Sequence, residues 1–132
     1  MGPTLGHVNV HLDTSLLIHA TSSRRRRKPL DAASERGDRL LVSAIVLYEW
    51  LRGPRSAIEL ALVDALFPAH EHVVFGLDEA RAAARIYRAV PRARGRVSDI
   101  AIAGCAVEHK AALWTLNPKD FEDIPGLTLY YG

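Results

Sequence analysis

The chain has 132 residues, of which 48% are hydrophobic and 24% are charged, with a formal net charge of +2 at pH 7. These values are typical of an ordinary globular protein and predict a single domain over residues 1–132. The only cysteine, Cys105, excludes a disulfide framework and a cysteine-based zinc cluster. A net charge of +2 is too small to indicate nucleic-acid binding by itself.

The chain has no sequence signal for a membrane. No apolar run approaches the ~20 residues that a membrane span needs. Residues 1–6 lack the basic lead and the apolar core of a secretory signal. Together with the lone cysteine, these observations lead us to expect a cytoplasmic protein.

The amino-terminal part of the chain predicts a strand and two helices. Residues 8–12 alternate apolar and polar side chains, which is the period of a β-strand. An apolar helix follows from Leu16, with Thr14 or Ser15 as its cap. The arginine-rich stretch 21–28 is interpreted as a loop. A short helix is predicted over 31–36, closed by a glycine.

The middle of the chain continues the alternation. The apolar run 40–42 predicts a buried strand, and helical patterns follow over 45–51 and 56–67. A third strand is predicted over 73–75 and a further helix over 78–90.

The last third of the chain predicts one helix and two strands, over 99–109, 112–116 and 127–131. Ser98 is the expected cap of this helix, whose small face, Ala103, Gly104 and Val107, predicts a close approach to the sheet. The complete pattern predicts an α/β fold with a mainly parallel sheet of about five strands flanked by helices. Ligands of such folds bind at the carboxyl ends of the strands.

Three acids stand in apolar surroundings at that edge of the predicted sheet. Asp13 follows the first strand, Glu49 has aromatic and apolar neighbours, and Asp99 opens a helix with a small-residue face. Acids gathered in one cleft repel each other unless a cation compensates them, and Mg²⁺ or Mn²⁺ suits carboxylate ligands best. Such an ion can activate water and stabilise a phosphate oxygen. Helix capping is the alternative explanation, above all for Asp99.

Four segments resemble, in the same order, the motifs of PIN domains, and more narrowly those of the VapC toxins of bacterial toxin–antitoxin pairs. They read HLDTSLLI (11–18), SAIVLYEWLRGP (43–54), GRVSDIAIA (95–103) and TLNPKDF (115–121). Each motif is short, but their combination on an α/β pattern is specific.

The resemblance implies a PIN-like fold and a Mg²⁺- or Mn²⁺-dependent endoribonuclease that hydrolyses RNA with a metal-activated water. It also implies a homodimer held inactive by a cognate antitoxin. Asp13, Glu49 and Asp99 match the family's catalytic, metal-binding acids. The fourth acidic position falls on Asn117, which could offer a carbonyl oxygen or hold a water. Asp120 could supply a carboxylate if its turn bends inward.

Hydroxyl and basic residues complete the expected site. Ser43 and Thr115 match small hydroxyl positions of the family, where they would either support the metal ligands or cap strand ends. Basic residues near Asp99 and in the loop after the first helix are expected to contact RNA phosphates. They are Arg92, Arg94, Arg96, Arg24, Arg25 and Arg26.

The periodicity of the first strand conflicts with the resemblance. The PIN fold places this strand in the sheet centre, where both faces should be apolar. His7, Asn9 and His11 predict a polar face instead. Either the strand is partly open on one face, or these side chains find buried partners.

Two other functions remain open. A phosphoryl-transfer domain with Asp13 as nucleophile is disfavoured because no second aspartate follows two residues later. A PIN-like protein that has lost catalysis and only binds RNA or protein is supported by Asn117 alone.

Overall fold

The computed structural model describes residues 7–132. The expectation of no secretory signal rests on residues 1–6, which lie outside the described residues. Within 7–132 the strands are β1 (Asn9–Leu12), β2 (Arg39–Leu41) and β3 (Ala112–Trp114). The helices are α1 (Thr14–Thr21), α2 (Arg24–Glu35), α3 (Ala44–Leu51), α4 (Ala57–Leu66), α5 (Leu77–Ala89) and α6 (Val97–Glu108). Three 3₁₀ turns span Ala69–Glu71, Ala93–Arg96 and Pro118–Asp120. No helix in this range has the length and apolarity of a membrane span.

The sheet is parallel and has the order β2-β1-β3, so that β1 lies in the centre. Val10 of β1 pairs with Leu40 on one side and with Ala112 on the other. The α/β fold with a parallel sheet is therefore confirmed.

The sheet in residues 7–132 has three strands rather than about five. The predicted strands 73–75 and 127–131 are reduced to isolated parallel bridges, Ser43 to Val73 and Leu113 to Leu129. Parallel strands are normally buried on both faces. Val74 is 63% exposed, so the segment around Val73 lacks that burial.

The arginine-rich stretch is helical, which corrects the loop interpretation. Helix α2 begins at Arg24, where the Ser23 hydroxyl accepts a hydrogen bond from the Arg26 backbone N–H at 3.1 Å. Arginine has high helix propensity. Leu30 and Ala33 bury the inner side of the helix. These two residues stabilise a helix whose first turn has no apolar pattern of its own.

Helix α6 begins at Val97, and Ser98 lies within its first turn rather than at its cap. Within the small face of α6, Gly104 packs against helix α5. A Cβ atom at Gly104 would lie 2.8 Å from the Ala83 Cβ, which leaves no room for a side chain. The glycine therefore permits close packing of α5 against α6.

The polar side chains of the first strand differ in burial: His7, just before β1, is exposed, Asn9 is half-buried and His11 is buried. His11 is completely buried, and its Nδ1 lies 3.0 Å from the Leu12 carbonyl oxygen. Among the described residues, its Nε2 has no hydrogen-bond partner. Burial lowers the pKa of His11 to about 4, so its ring is neutral at pH 7. The central strand thus accommodates a neutral histidine, and its two faces are not both apolar.

Candidate active site

An open crevice of about 590 Å³ lies at the carboxyl end of β1, where side chains from three helices and two strand ends meet. Its polar lining includes Asp13, Glu49, Asp99 and Asn117. The three predicted acids are therefore brought together. The crevice lies where ligands of parallel α/β sheets bind.

Asp13 is held by hydroxyl groups and not by its own helix. It occupies the N-cap position of α1, yet its side chain makes no capping hydrogen bond. The Thr115 and Ser15 hydroxyls instead donate to its Oδ2, at 2.7 and 2.9 Å. Its backbone N–H donates to the Trp114 carbonyl oxygen, which fixes the position of Asp13 beside the end of β3. The capping explanation does not account for the Asp13 side chain.

Glu49 is held in the same way from two sides. The Thr14 hydroxyl donates to Oε1 at 2.5 Å and the Ser98 hydroxyl to Oε2 at 2.8 Å. The guanidinium of Arg52 lies 3.9 Å from Oε2, but that side chain is 61% exposed and screened by water. The hydroxyls orient the carboxylate without neutralising its charge.

Asp99 has the most perturbed carboxyl group of the crevice. Burial raises its pKa to about 6, and the charges of Asp13, Asp120 and Glu49 raise it in the same direction. The positive charge of Arg96 acts against them. Ionising Asp99 at neutral pH therefore costs free energy that a bound cation would return.

The segment after β3 contributes one lining residue. Asn117 reaches the crevice, and its backbone N–H donates to the Thr115 hydroxyl at 3.0 Å. Asp120 is exposed and is not among the lining residues, although its charge acts on Asp99. Ser43 also lies outside the lining, and its buried hydroxyl caps α3 by accepting from the Val46 N–H at 3.3 Å. Ser43 thus supports Glu49 only through the helix that carries it.

The predicted RNA-contacting arginines divide into two groups. Five of them are exposed: Arg24, Arg25, Arg26, Arg92 and Arg94. Arg96 is different, because its guanidinium forms a two-contact ion pair with the Asp123 carboxylate, at 2.6 and 3.0 Å.

Several site residues were not recognised from the sequence. Thr14, Ser15 and Ser98 were interpreted as helix-capping residues, whereas their hydroxyls hold the acids. Arg52 and Arg55 also line the crevice, directly after the helix that carries Glu49. The spacing of Arg52 three residues after Glu49 was the available signal, because such residues share a helix face.

The donor set suits a hard cation that keeps part of its water shell. Within residues 7–132, no three His, Cys, Asp or Glu side chains lie close enough together to bind one ion directly. Mg²⁺ usually retains several waters and is held by one or two carboxylates together with substrate phosphates. Oxygen-only donors, an uncompensated Asp99 and an open crevice fit such an ion.

The fold and the crevice define an α/β domain with an acidic site at the carboxyl end of its sheet. The PIN domain family model matches residues 10–127, and the chain belongs to this family. The resemblance noted in the sequence is thereby confirmed. A comparison with curated proteins gives no match.

Solved structures of similar fold come from toxin–antitoxin assemblies. VapBC2 from Rickettsia felis, bound to a promoter DNA fragment, matches with TM-score 0.73 and 20% identity over 92% of this chain and 97% of the other. DNA-bound VapBC from Salmonella typhimurium matches with TM-score 0.69 and 25% identity, over 93% and 97%. A toxin–antitoxin complex from Klebsiella pneumoniae gives 0.68 and 25%, over 92% and 98%.

Proposed function

We propose that this PIN domain is a Mg²⁺- or Mn²⁺-dependent endoribonuclease that acts as the toxin of a toxin–antitoxin pair. The observation that carries the proposal is the convergence of Asp13, Glu49 and Asp99 on one crevice, with the pKa of Asp99 raised to about 6. Perturbed carboxyl groups that share a cleft are characteristic of functional sites.

Asp13, Glu49 and Asp99 would hold the ion, in part through its bound waters, with Asn117 offering an amide oxygen. When bound, the ion would supply the charge that activates water and stabilises the phosphodiester in the transition state. The chain's own part is orientation. Two hydroxyls fix the carboxylate of Asp13 and two fix that of Glu49, so both are ordered before any ligand arrives.

A polyanionic substrate suits the surroundings of the crevice. Arg52 lies in the lining with most of its side chain exposed, and Arg92 and Arg94 are exposed on the segment that precedes Asp99. Cations at these places would contact phosphates on either side of the scissile bond. Arg24, Arg25 and Arg26 would extend the contact along the first turn of α2.

The toxin assignment extends to partners. The structural neighbours are described as VapBC or toxin–antitoxin complexes, which supports a cognate antitoxin for this chain. We extend the proposal to a homodimer, which light scattering of the purified chain tests directly. A monomer at all concentrations would remove this part of the proposal and leave the nuclease intact.

The experiment is cleavage of a mixed structured RNA in Mg²⁺, Mn²⁺ or EDTA by the wild type and by Asp99→Asn. We expect the wild type to cut RNA only with metal, and the cleavage rate of Asp99→Asn to be lower by about 10²–10³-fold. This is the effect of removing a preorganised charge-stabilising group. Asp64→Asn is the matched control, because Asp64 is exposed on α4 and should cut like the wild type.

Equal cutting by wild type and Asp99→Asn would reveal a contaminating ribonuclease and remove the support from this assay. If neither protein cuts RNA, Mn²⁺ titration distinguishes a nuclease with a narrow substrate from a PIN-like protein without catalysis. Weak Mn²⁺ binding would favour a PIN-like binding module without catalysis, for which Asn117 in the fourth acidic position is the specific observation.

A further inference from the structure

Arg96 is the most extensively bonded arginine near the crevice. It lies at the N-cap position of α6, three residues before Asp99. Its guanidinium makes four hydrogen bonds: two to the Asp123 carboxylate, one to the Pro91 carbonyl oxygen at 3.1 Å and one to the Asp120 carbonyl oxygen at 3.0 Å. Its side chain is only 17% exposed. Four of its five N–H donors are therefore already used within the protein.

These contacts join two segments that are remote in sequence. One partner, Pro91, begins the basic segment before α6, and the other two lie in the segment that follows β3. The first segment leads into Asp99, and the second carries Asn117 and Asp120. Three of the four bonds cross between these segments, two to Asp123 and one to the Asp120 carbonyl oxygen. The fourth, to Pro91, holds Arg96 within its own segment.

The charge balance also argues against a phosphate contact. Asp123 pairs with Arg96 and holds the pKa of Arg96 above its ordinary value. An arginine paired in this way adds no net positive charge toward a polyanion. Arg94, two residues earlier, is exposed and remains available for that purpose.

We propose that Arg96 is a positioning residue which, through Asp123 and the Asp120 carbonyl, fixes the segment after β3 against the start of α6 and so sets Asn117 and Asp120 relative to Asp99. This proposal rests on the proposed nuclease function. It replaces the RNA contact expected for Arg96 from the sequence.

The test compares Arg96→Lys and Asp123→Ala with the wild type, measuring kcat and KM for RNA cleavage and RNA affinity without metal. Lysine keeps the charge but cannot reproduce the planar, two-contact geometry. We expect both variants to lower kcat by about 10–100-fold, as loss of a residue supporting metal ligands does, with KM changed less than twofold. Arg94→Ala should instead raise KM. Arg85→Ala, on the exposed side of α5, controls for the loss of one positive charge.

The double variant Arg96→Ala/Asp123→Ala sharpens the result. If Asp123 acts only through Arg96, the kcat of the double variant should be no lower than that of Arg96→Ala alone. Wild-type kcat in Arg96→Lys, together with tighter RNA binding by Asp123→Ala, would overturn the proposal, because removing an acid beside a true phosphate contact strengthens binding.

Amide hydrogen exchange over residues 117–124 distinguishes failure of this proposal from failure of the nuclease assignment. If the wild type cuts no RNA and binds Mn²⁺ weakly, the nuclease proposal fails, and exchange then decides the role of Arg96. Faster exchange of this segment in both Arg96→Lys and Asp123→Ala, with native circular dichroism, supports positioning. Unchanged exchange in both overturns it.

Discussion

Two aspartates at opposite ends of the sheet have pKa values that the fold shifts in opposite directions. Asp38 directly precedes β2, at the amino end, and is 7% exposed. It accepts hydrogen bonds from the Tyr130 hydroxyl at 2.6 Å and from the Val8 N–H at 3.2 Å. The Tyr130 bond, with smaller contributions from Val8 and Arg36, lowers its pKa. Asp99, at the carboxyl end, has a pKa raised to about 6 by burial and by neighbouring acids.

The difference separates a structural carboxylate from a functional one. Around Asp38 the chain supplies donors that compensate for the loss of water, so the charged form stabilises the fold. Around Asp99 it supplies further negative charge. Because the ionised form of Asp99 is unfavourable in the free protein, a cation bound beside it would stabilise that form. This is the physical reason for proposing a metal centre here.

The largest effect on stability is expected from Asp38→Ala. The substitution leaves the Tyr130 hydroxyl and the Val8 N–H without their acceptor, and we expect the free energy of unfolding at pH 7 to fall by about 3 kcal/mol. Urea unfolding measures the change. Asp31→Ala, which removes an exposed carboxylate 4.0 Å from Arg27, should cost at most ~0.5 kcal/mol.

The Asp38 effect should also depend on pH in a defined direction. Because the folded pKa of Asp38 is lowered, its contribution is fully present above the unfolded pKa of about 3.9 and is lost as the pH falls further. A difference between wild type and Asp38→Ala that is no larger than that of Asp31→Ala would contradict the structural role.

Asp99→Asn is expected to change the free energy of unfolding in the opposite direction, as measured in EDTA. The folded pKa of about 6 lies above the unfolded value, so ionisation of Asp99 destabilises the metal-free protein as the pH rises. The variant should match the wild type near pH 4 and exceed it above about pH 6 by about 1 kcal/mol, a figure reduced for solvent screening because Asp99 is only partly buried. Urea midpoints at four pH values between these limits test it.

A constant difference between the two proteins across this range would show that Asp99 is not the titrating group. Addition of Mn²⁺ provides an independent check, since an ion that binds only the folded state raises stability by mass action. The wild type should gain stability with Mn²⁺, whereas Asp99→Asn should gain much less.

A smaller effect than that of Asp38→Ala is expected from Tyr130→Phe. It removes the hydroxyl that donates to Asp38 and accepts from Arg36 at 2.7 Å, while the ring can still pack against Trp114. We expect a loss of about 1 kcal/mol at pH 7, the net value of one hydrogen bond. Wild-type stability in this variant would mean that Val8 and water compensate Asp38 without Tyr130.

The sequence predicts most of the helices and strands because their apolar patterns are strong. The predictions fail where interactions other than an apolar pattern decide the local structure. Helix α2 begins with four arginines, so its first turn lacks the spacing of apolar residues that predicts a helix. Its buried residues, Leu30 and Ala33, come later in the helix. The segment 73–75 has the composition of a strand, but Val74 and Phe75 are exposed and only Val73 forms a bridge.

The site shows the same division. The place of Asp13 at the carboxyl edge of the sheet follows from its position after β1. Glu49 and Asp99 reach that edge from helices α3 and α6. The roles of Ser15 and Ser98 do not, since a serine near a helix start has the same sequence signature whether it caps the backbone or holds a carboxylate. The pairing of Arg96 with Asp123 depends on contacts between segments 27 residues apart.

The hydrogen bond from Thr115 to Asp13 joins residues 102 positions apart. Asp13 therefore takes one supporting hydroxyl from its own helix, Ser15, and the other from a segment synthesised much later. A ribosome making this protein would have to release Thr115 from its exit tunnel before the site could close around Asp13. For an enzyme proposed to destroy RNA, the ordering of Asp13 by Thr115 is thus a late event of translation, absent until β3 and the residue after it have left the ribosome.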